Sequence, residues 1–453
     1  MLDQIRKWEE EILRYWNEHK VYEEVRESLK DKPVFNFIDG PPYPTGPIHL
    51  GHSWNKTLKD IILRFWRMRG YRVVDTPGFD MHGLPIEVQV EKKLKFKTKT
   101  DVLSYGVDKF IDECRRLAFN NVKRETEQFK RLGVWMDWKK PYLTVDPTYI
   151  DGIWWTIKRM HDLGRLYQGW KVLGWCPRCQ TVLAQHEYEY KQKRSPSLYF
   201  KVRLLEKENN YIIVWTTTPW TLIGNMVIAV HPVEKYVKVK VGDEIWILSS
   251  YQVKAGLLSE LGIEKYEILD EFPGRVLEGK KYEYPLKEEV PIHAKYEDTA
   301  KYHTVIVSAE YVKVDEGTGC LHVAPSFGPE DFDIGTSLGL PLIVFVDEKG
   351  VFNSDGGFFA GKDVNEANTL VVERLKAKNL IVKYGTILHE YPHCWRCKTP
   401  LIFRLTKQWF FKIKDLRDKL VEMAEKTMWI PEWAKALFID WLKNIDDWCI
   451  SRQ

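Results

Sequence analysis

Val34-Phe-Asn-Phe-Ile-Asp-Gly-Pro-Pro-Tyr-Pro-Thr-Gly-Pro-Ile-His-Leu-Gly-His52 is the stretch on which the reading of this chain turns. Its apolar start, Val34–Ile38, has the composition of a short strand, and residues 40–47 form a loop rich in Gly and Pro. Periodicity then becomes helical. Trp54, Leu58, Ile61, Ile62 and Phe65 fall on one helical face, Arg64, Arg67 and Arg69 lie elsewhere, and Gly70 closes the helix. A second apolar run, Tyr71–Asp75, follows at once. Strand, loop, helix and strand in this order predict a βαβ unit, hence a parallel sheet with a ligand beyond the strand C-termini.

The loop delivers His49-Leu-Gly-His52 to the helix start. Unpaired N–H groups there attract anions, and Gly51 lets a nucleotide come close to the backbone. Two imidazoles can donate hydrogen bonds to phosphate oxygens as charge develops. Two capping histidines would give the same string, so its place after a strand and a Gly/Pro loop carries the argument. No Gly-x-x-x-x-Gly-Lys-Ser/Thr string occurs, which excludes a P-loop.

Outward from this core, the 453 residues suffice for two or three domains. Hydrophobic residues at 44% and 19 Trp exclude a disordered chain. The net charge of +4 conceals a split: about +8 over 1–195, −7 over 196–385 and +3 over 386–453. The N-terminal residues read as a charged amphipathic helix, with no signal segment. The longest uncharged stretch, Asn209–Val233, contains Thr216, Thr217, Thr218, Pro219, Gly224 and Asn225 and reads as two strands around a polar turn. Residues 101–170 read as mostly helical. From Ser195, short β-branched runs (Tyr211–Val214, Val227–Val230, Tyr236–Val241, Ile245–Leu248, Thr304–Val307) alternate with turn residues, and helical texture returns after Trp409.

Seven Cys do not make a disulfide scaffold, but four form Cys176-Pro-Arg-Cys179 and Cys394-Trp-Arg-Cys397. Two thiolates in a tight turn supply two corners of a tetrahedron, and two such knuckles complete a structural Cys₄ zinc site. If they share one ion, residues 180–393 are an excursion whose ends meet at the metal, as an inserted domain would be. His186 and His393 lie nearby and are not counted as ligands.

The segment Asp39–His52 resembles the signature "HIGH" region of class I aminoacyl-tRNA synthetases. Asn55-Lys-Thr-Leu-Lys-Asp-Ile61 and Gly78-Phe-Asp-Met-His-Gly-Leu-Pro-Ile-Glu87 resemble the isoleucyl branch, and the resemblance runs along essentially the whole chain. It implies an α/β fold: a Rossmann-like parallel-sheet catalytic domain, in its N-terminal half, with a large β-rich inserted editing domain and zinc-knuckle connections. The implied domains are 1–190 (N-terminal helix, nucleotide half and first knuckle), 195–385 (editing insert) and 386–453 (second knuckle and return). His49, Gly51 and His52 would bind ATP, with His49 and His52 catalytic. Asp80 would hold the amino acid's ammonium, and Gly40 and Pro41 would line its side-chain pocket.

Isoleucine and valine differ by one methylene, worth about 1–3 kcal/mol, a magnitude for which this very family is the standard worked case. A second, hydrolytic site answers that small difference. The resemblance assigns it to Thr216, Thr217 and Thr218 with Asn225 for adenosine and water, His322 for size exclusion and Asp331 for the α-ammonium. Asp333 is the rival of Asp331. Ile223 stands where the family generally has Pro, and the Thr-rich strand lacks the Arg usual in valyl and leucyl relatives.

The expected function is ATP-dependent activation of isoleucine and its transfer to tRNA-Ile, with editing of valyl-tRNA. Zn²⁺ would be structural, ATP with Mg²⁺ a substrate, and the protein a cytoplasmic monomer away from membranes. Lys92, Lys93, Lys95, Lys97 and Lys99 would face tRNA phosphates. The chain ends at Trp448-Cys-Ile-Ser-Arg-Gln453, where the family's sequence re-enters the catalytic fold, so the Lys-Met-Ser-Lys-Ser loop is expected beyond it. A valyl or leucyl relative, a zinc-bearing tRNA-binding module without catalysis, and a generic nucleotidylyltransferase remain the alternatives.

Overall fold

Helix formation begins twice at the N-terminus, because Lys20 adopts a left-handed conformation (φ 48°) that separates α1 (Leu2–Glu18) from α2 (Val21–Ser28). The computed structural model describes residues 2–453. Next come β1 (Val34–Asn36), α3 (Leu50–Met68) and β2 (Arg72–Val74), and β1 pairs with β2 in parallel, Val34 opposite Arg72. This is the expected βαβ unit. A second parallel pair joins β3 (Gly78–Phe79) to β4 (Tyr142–Leu143), with α4 (Leu84–Leu94), α5 (Lys99–Tyr105) and α6 (Val107–Arg131) between them. Helix α7 (Pro147–Asp162) follows, its Asp146 N-cap accepting from Thr148 N–H. Phe79, Met81, Ile86, Ala118 and Phe129 form one core of this region, and Leu63, Val73, Val134 and Met136 another.

The apolar stripe of α3 does not face inward. Trp54 is 67% exposed, and Leu58, Ile61, Ile62 and Phe65 are also exposed. The buried positions are Lys56, Asp60, Leu63 and Arg67. Each buried charge is paired: Lys56 with Asp39, Asp60 with Arg64, and Arg67 with Asp75. Burying a charge is tolerated when it is paired and hydrogen-bonded, so a polar face can be the inner one here.

The chain divides into two compact units, Met1–Leu163 and Gly164–Gln453. In the second, β5 (Leu166–Cys176) is followed by β6 (Thr181–Val182) and the 16-residue β7 (Tyr188–Arg203). The β-rich block continues with β8 (Asn210–Thr216), β9 (Val227–Val230), β10 (Lys235–Val241), β11 (Glu244–Ser249), α8 (Ser250–Lys254), α9 (Leu257–Glu260), β12 (Glu267–Pro273), β13 (Thr304–Val307), β14 (Cys320–Val323), α10 (Pro329–Ser337) and α11 (Val364–Ala377). Strand β15 (Ile381–Cys394) returns antiparallel to β7, with Cys394 opposite Tyr188. Strand β16 (Ile402–Phe411) then pairs with β5 over ten positions, and α12 (Arg417–Glu425), α13 (Trp433–Lys443) and β17 (Trp448–Cys449) complete the chain.

The strand order of the large sheet is β12-β10-β11-β8-β7-β15, and β9 is the centre of a three-stranded sheet β13-β9-β14. Strand β9, buried at every position, reads Val-Ile-Ala-Val because both its faces meet the core. The long β7/β15 ribbon brings Tyr188 opposite Cys394, beside the cysteine pairs. Both knuckles and both strands that carry them lie in the second unit.

Candidate functional sites in the two units

In the first unit His49 caps α3, its Nδ1 accepting from His52 N–H at 3.3 Å. The two imidazoles stack with ring centroids 3.8 Å apart. Gly51 permits this fold, since a Cβ there would lie 3.0 Å from His49 Cε1. Burial, with smaller contributions from His49 and Lys56, pushes the His52 pKa down. The N-terminus of α3 opens on a cavity of about 380 Å³ lined by Gly40, Pro42, His49, Gly51, His52, Asn55, Lys56 and Phe129. Of the residues expected at the amino-acid pocket, Gly40 lines this cavity and Pro41 does not; Pro42 lines it instead. Asp80 is not among the lining residues, but its N–H donates to Pro42 C=O at 2.9 Å and ties the end of β3 to the loop.

Beneath this loop lies Asp39, fully buried between Lys56 and Lys59 and accepting from Gly78 N–H at 3.0 Å. Gly78 has no room for a side chain, because a Cβ would sit 2.0 Å from Tyr142 Cζ, and the Tyr142 hydroxyl donates to Asp39 C=O. Lys56 and Asn55 were visible in the sequence only as part of a resemblance; burial gives Lys56 a role. Glu125, fully buried nearby with neither carboxyl oxygen hydrogen-bonded, is pushed up to about 8 by burial against the opposing pull of Lys56.

In the second unit a cavity of about 310 Å³ is lined by Thr216, Thr217, Thr218, Thr221, His322, Gly328 and Asp331 among others. Residues more than a hundred positions apart meet there because β14 runs antiparallel to β9, which sets His322 opposite Ile228. The end of β8 turns at Thr216: its Oγ1 accepts from Thr218 N–H at 3.1 Å. Asp331 sits in the first turn of α10 and accepts from Ala324 N–H at 2.8 Å. Gly328 makes room for it, since a Cβ there would lie 2.8 Å from Asp331 Cγ. Burial pushes the Asp331 carboxyl up to about 7, against the Ala324 hydrogen bond. Asp333 is exposed and does not line the cavity.

Asn225 is placed otherwise than the sequence suggested. It does not line the cavity but lies buried behind His322, donating from Nδ2 to His322 Nδ1 at 3.2 Å. His322 is pushed down to about 4 by burial, so it is neutral near pH 7. Ile223, the departure from the family pattern, is accommodated in a 3₁₀ turn, Pro219–Gly224, whose residues are all buried.

The four cysteines of the knuckles converge. Their sulfurs all lie within 4.8 Å of one another, with Cys176 and Cys397 Sγ at 3.4 Å. A tetrahedral zinc with Zn–S bonds of about 2.3 Å needs S···S edges of about 3.8 Å. The donor set fits zinc: four thiols, three of them buried. Each turn closes in the same way, with Gln180 N–H donating to Cys176 C=O and Lys398 N–H to Cys394 C=O. Gln180 (φ 53°) and Lys398 (φ 64°) are both left-handed. His393 lies outside this group and its Nδ1 is 2.8 Å from Tyr391 C=O, while the side chain of His186 lies outside the described residues.

A sequence model of tRNA synthetases class I (I, L, M and V) matches residues 11–453. The chain belongs to the class I tRNA synthetases. Among curated members of the family, the synthetase chain is 46% identical to the isoleucine–tRNA ligase of Pyrococcus abyssi, over 99% of this chain and 42% of that protein. It is likewise 46% identical to the isoleucine–tRNA ligase of Archaeoglobus fulgidus, over 98% of this chain and 43% of that one. The synthetase chain therefore spans about two fifths of the length of these relatives. Among solved structures, the agnB2 LeuRS–tRNA–LeuAMS ternary complex of Agrobacterium radiobacter K84 is 17% identical, over 88% of this chain and 49% of that chain, with a TM-score of 0.34. No helix among the described residues is long and apolar enough to cross a membrane.

Proposed function

We propose that the chain is the part of an isoleucine–tRNA ligase that carries the nucleotide half-site and a hydrolytic editing site for valyl-tRNA. The observation that carries the editing reading is the cavity that joins Thr216–Thr218, His322 and Asp331 from three separate elements. The isoleucyl assignment rests on 46% identity to isoleucine–tRNA ligases over nearly the whole chain. On this reading residues 1–190 and 386–453 are the catalytic body, and 195–385 the insert.

In the editing cavity the α-ammonium of the aminoacyl ester pairs with Asp331, whose carboxyl, already titrating near 7, ionises as the cation arrives. The Thr216, Thr217 and Thr218 hydroxyls hold the terminal ribose and a water. Water adds to the ester carbonyl, the C–O bond to the ribose breaks, and the ribose oxygen takes the proton; no covalent enzyme intermediate is needed. His322, neutral, walls off a side chain larger than that of valine.

In the first unit the helix N-terminus and His49, Gly51 and His52 receive the phosphates of ATP, brought with Mg²⁺. The amino acid carboxylate attacks the α-phosphorus and pyrophosphate leaves. His49 and His52 donate to the phosphate oxygens where charge builds up. Asp80, at the end of β3, takes the amino acid's ammonium, and Gly40 and Pro42 line the pocket for its side chain. Cys176, Cys179, Cys394 and Cys397 would hold a structural zinc, which would cross-link the two ends of the insert. The partners are tRNA-Ile, isoleucine and ATP, and the compartment is the cytoplasm.

The test is hydrolysis of valyl-tRNA-Ile by the chain and by Asp331→Ala. Hydrolysis abolished in the variant, with tRNA binding kept, supports the enzyme reading. Binding of tRNA with no hydrolysis by either protein favours a non-catalytic module.

A further inference from the structure

The wall of the editing cavity has a polar interior that its lining residues do not explain. Tyr282, Asn225, His322 and Thr221 are all buried, and in this order each is hydrogen-bonded to the next. The Tyr282 hydroxyl donates to Asn225 Oδ1 at 2.6 Å. Asn225 Nδ2 lies 3.2 Å from His322 Nδ1. His322 Nε2 lies 2.9 Å from Thr221 Oγ1, which in turn donates to Thr218 C=O at 2.8 Å.

The direction of this chain of bonds is decided by Asn225. Its Nδ2 also faces two backbone carbonyls, Val227 at 3.1 Å and Val323 at 3.5 Å. Turning the amide over would set oxygen against both carbonyls, so Nδ2 must point at His322. His322 Nδ1 then accepts and carries no proton, and Nε2 carries the hydrogen that goes to Thr221. Thr221, having accepted at Oγ1, gives its own proton to Thr218. The bonds thus run in one direction from Tyr282 to the backbone of the Thr-rich turn. Tyr282 is itself fixed by its backbone N–H, which donates to His303 C=O at 3.0 Å.

We propose that Tyr282 is a specificity-determining positioning residue of the editing site: through Asn225 it sets the tautomer and orientation of His322, and through Thr221 the turn at Thr218. It touches no substrate. Its hydroxyl gives the buried Asn225 Oδ1 a donor and, together with the Val227 and Val323 carbonyls on Nδ2, holds the amide in the orientation that makes His322 a donor toward the Thr-rich turn. A His322 free to rotate or to change tautomer cannot exclude a side chain larger by one methylene. This inference rests on the editing reading above.

The experiment measures hydrolysis of valyl- and isoleucyl-tRNA-Ile by the wild-type chain, Tyr282→Phe, His322→Ala and the double variant. It also records the imidazole ¹⁵N shifts of His322 at neutral pH. The wild type shows His322 with a bare Nδ1 and a protonated Nε2. Tyr282→Phe lowers the valyl/isoleucyl rate ratio about tenfold, the weight of one buried hydrogen bond, and alters the tautomer signature. In the His322→Ala background the same substitution changes the ratio less than about twofold, because the residue it acts through is gone. If Tyr282→Phe slows both esters in proportion and leaves the His322 shifts unchanged, Tyr282 only packs and the proposal is wrong. An undiminished effect in the double variant overturns it as well. A wild type that hydrolyses both esters alike removes the editing reading itself, and the specificity role with it.

Discussion

Replacing Asp39 by Asn tests the polar inner face of α3. Asp39 is fully buried, Lys56 is 2% exposed, and Lys59, the second cation on the same carboxylate, is 19% exposed. Asparagine keeps an acceptor for Gly78 N–H and removes only the charge. Lys56 is then left buried, and burial already pushes its pKa down against the pull of Asp39. Glu125 offers no ready substitute near neutral pH, since it holds its proton to about 8. Breaking a buried pair in this way costs about 3–5 kcal/mol, so Asp39→Asn should lose that much stability at pH 7. With its folded pKa depressed further below the unfolded one, Lys56 sheds its proton as pH rises, and the loss shrinks between pH 7 and 10. Asp39→Asn/Lys56→Met should recover most of it, because an apolar side chain of similar size needs no partner. The assay is urea unfolding combined with amide exchange of α3, which reports the first unit alone. A loss under about 1 kcal/mol, typical of a surface pair, or a double variant no better than the single, would show that the inner face of α3 does not depend on the buried pair.

Two further outcomes are expected. Glu125 has a folded pKa of about 8 against an ordinary value of 4.5, so the stability it contributes is complete below pH 4.5 and is lost as pH rises through 8. Glu125→Met should flatten the pH dependence of first-unit exchange over that window. Cys394→Ser should abolish binding of about one zinc per chain, read by metal analysis, and should speed amide exchange near residues 187–190 and 391–398, where the ends of β7 and β15 meet.

The βαβ unit was legible because strand, loop and helix differ in period and composition within forty residues. Strands Val227–Val230 and Thr304–Val307 were legible to the residue, being short β-branched runs bounded by turn signals. The inner face of α3 was not. Periodicity reports where apolar residues fall, and it cannot foresee that Lys56, Asp60 and Arg67 would each find a partner from a distant segment or the next turn. The same limit hid Asn225. Its place beside a Thr-rich strand suggested a cavity residue, whereas the antiparallel register of β14 on β9 sets His322 in front of it. Tyr282, 57 positions from Asn225, gave no sequence signal at all. The cysteine pairs were the opposite case, since both Cys-x-x-Cys spacings stand in the sequence and only the meeting of the two pairs required the fold.

As the proposed hydrolytic site, the cavity of about 310 Å³ should admit a valyl ester and exclude an isoleucyl one. The most direct measurement is the rate at which the chain releases valine and isoleucine from the same tRNA-Ile at equal concentration. Valine release is expected to be at least about tenfold faster, the scale of discrimination one methylene permits. Equal rates from the folded chain, or none for either ester, would contradict it.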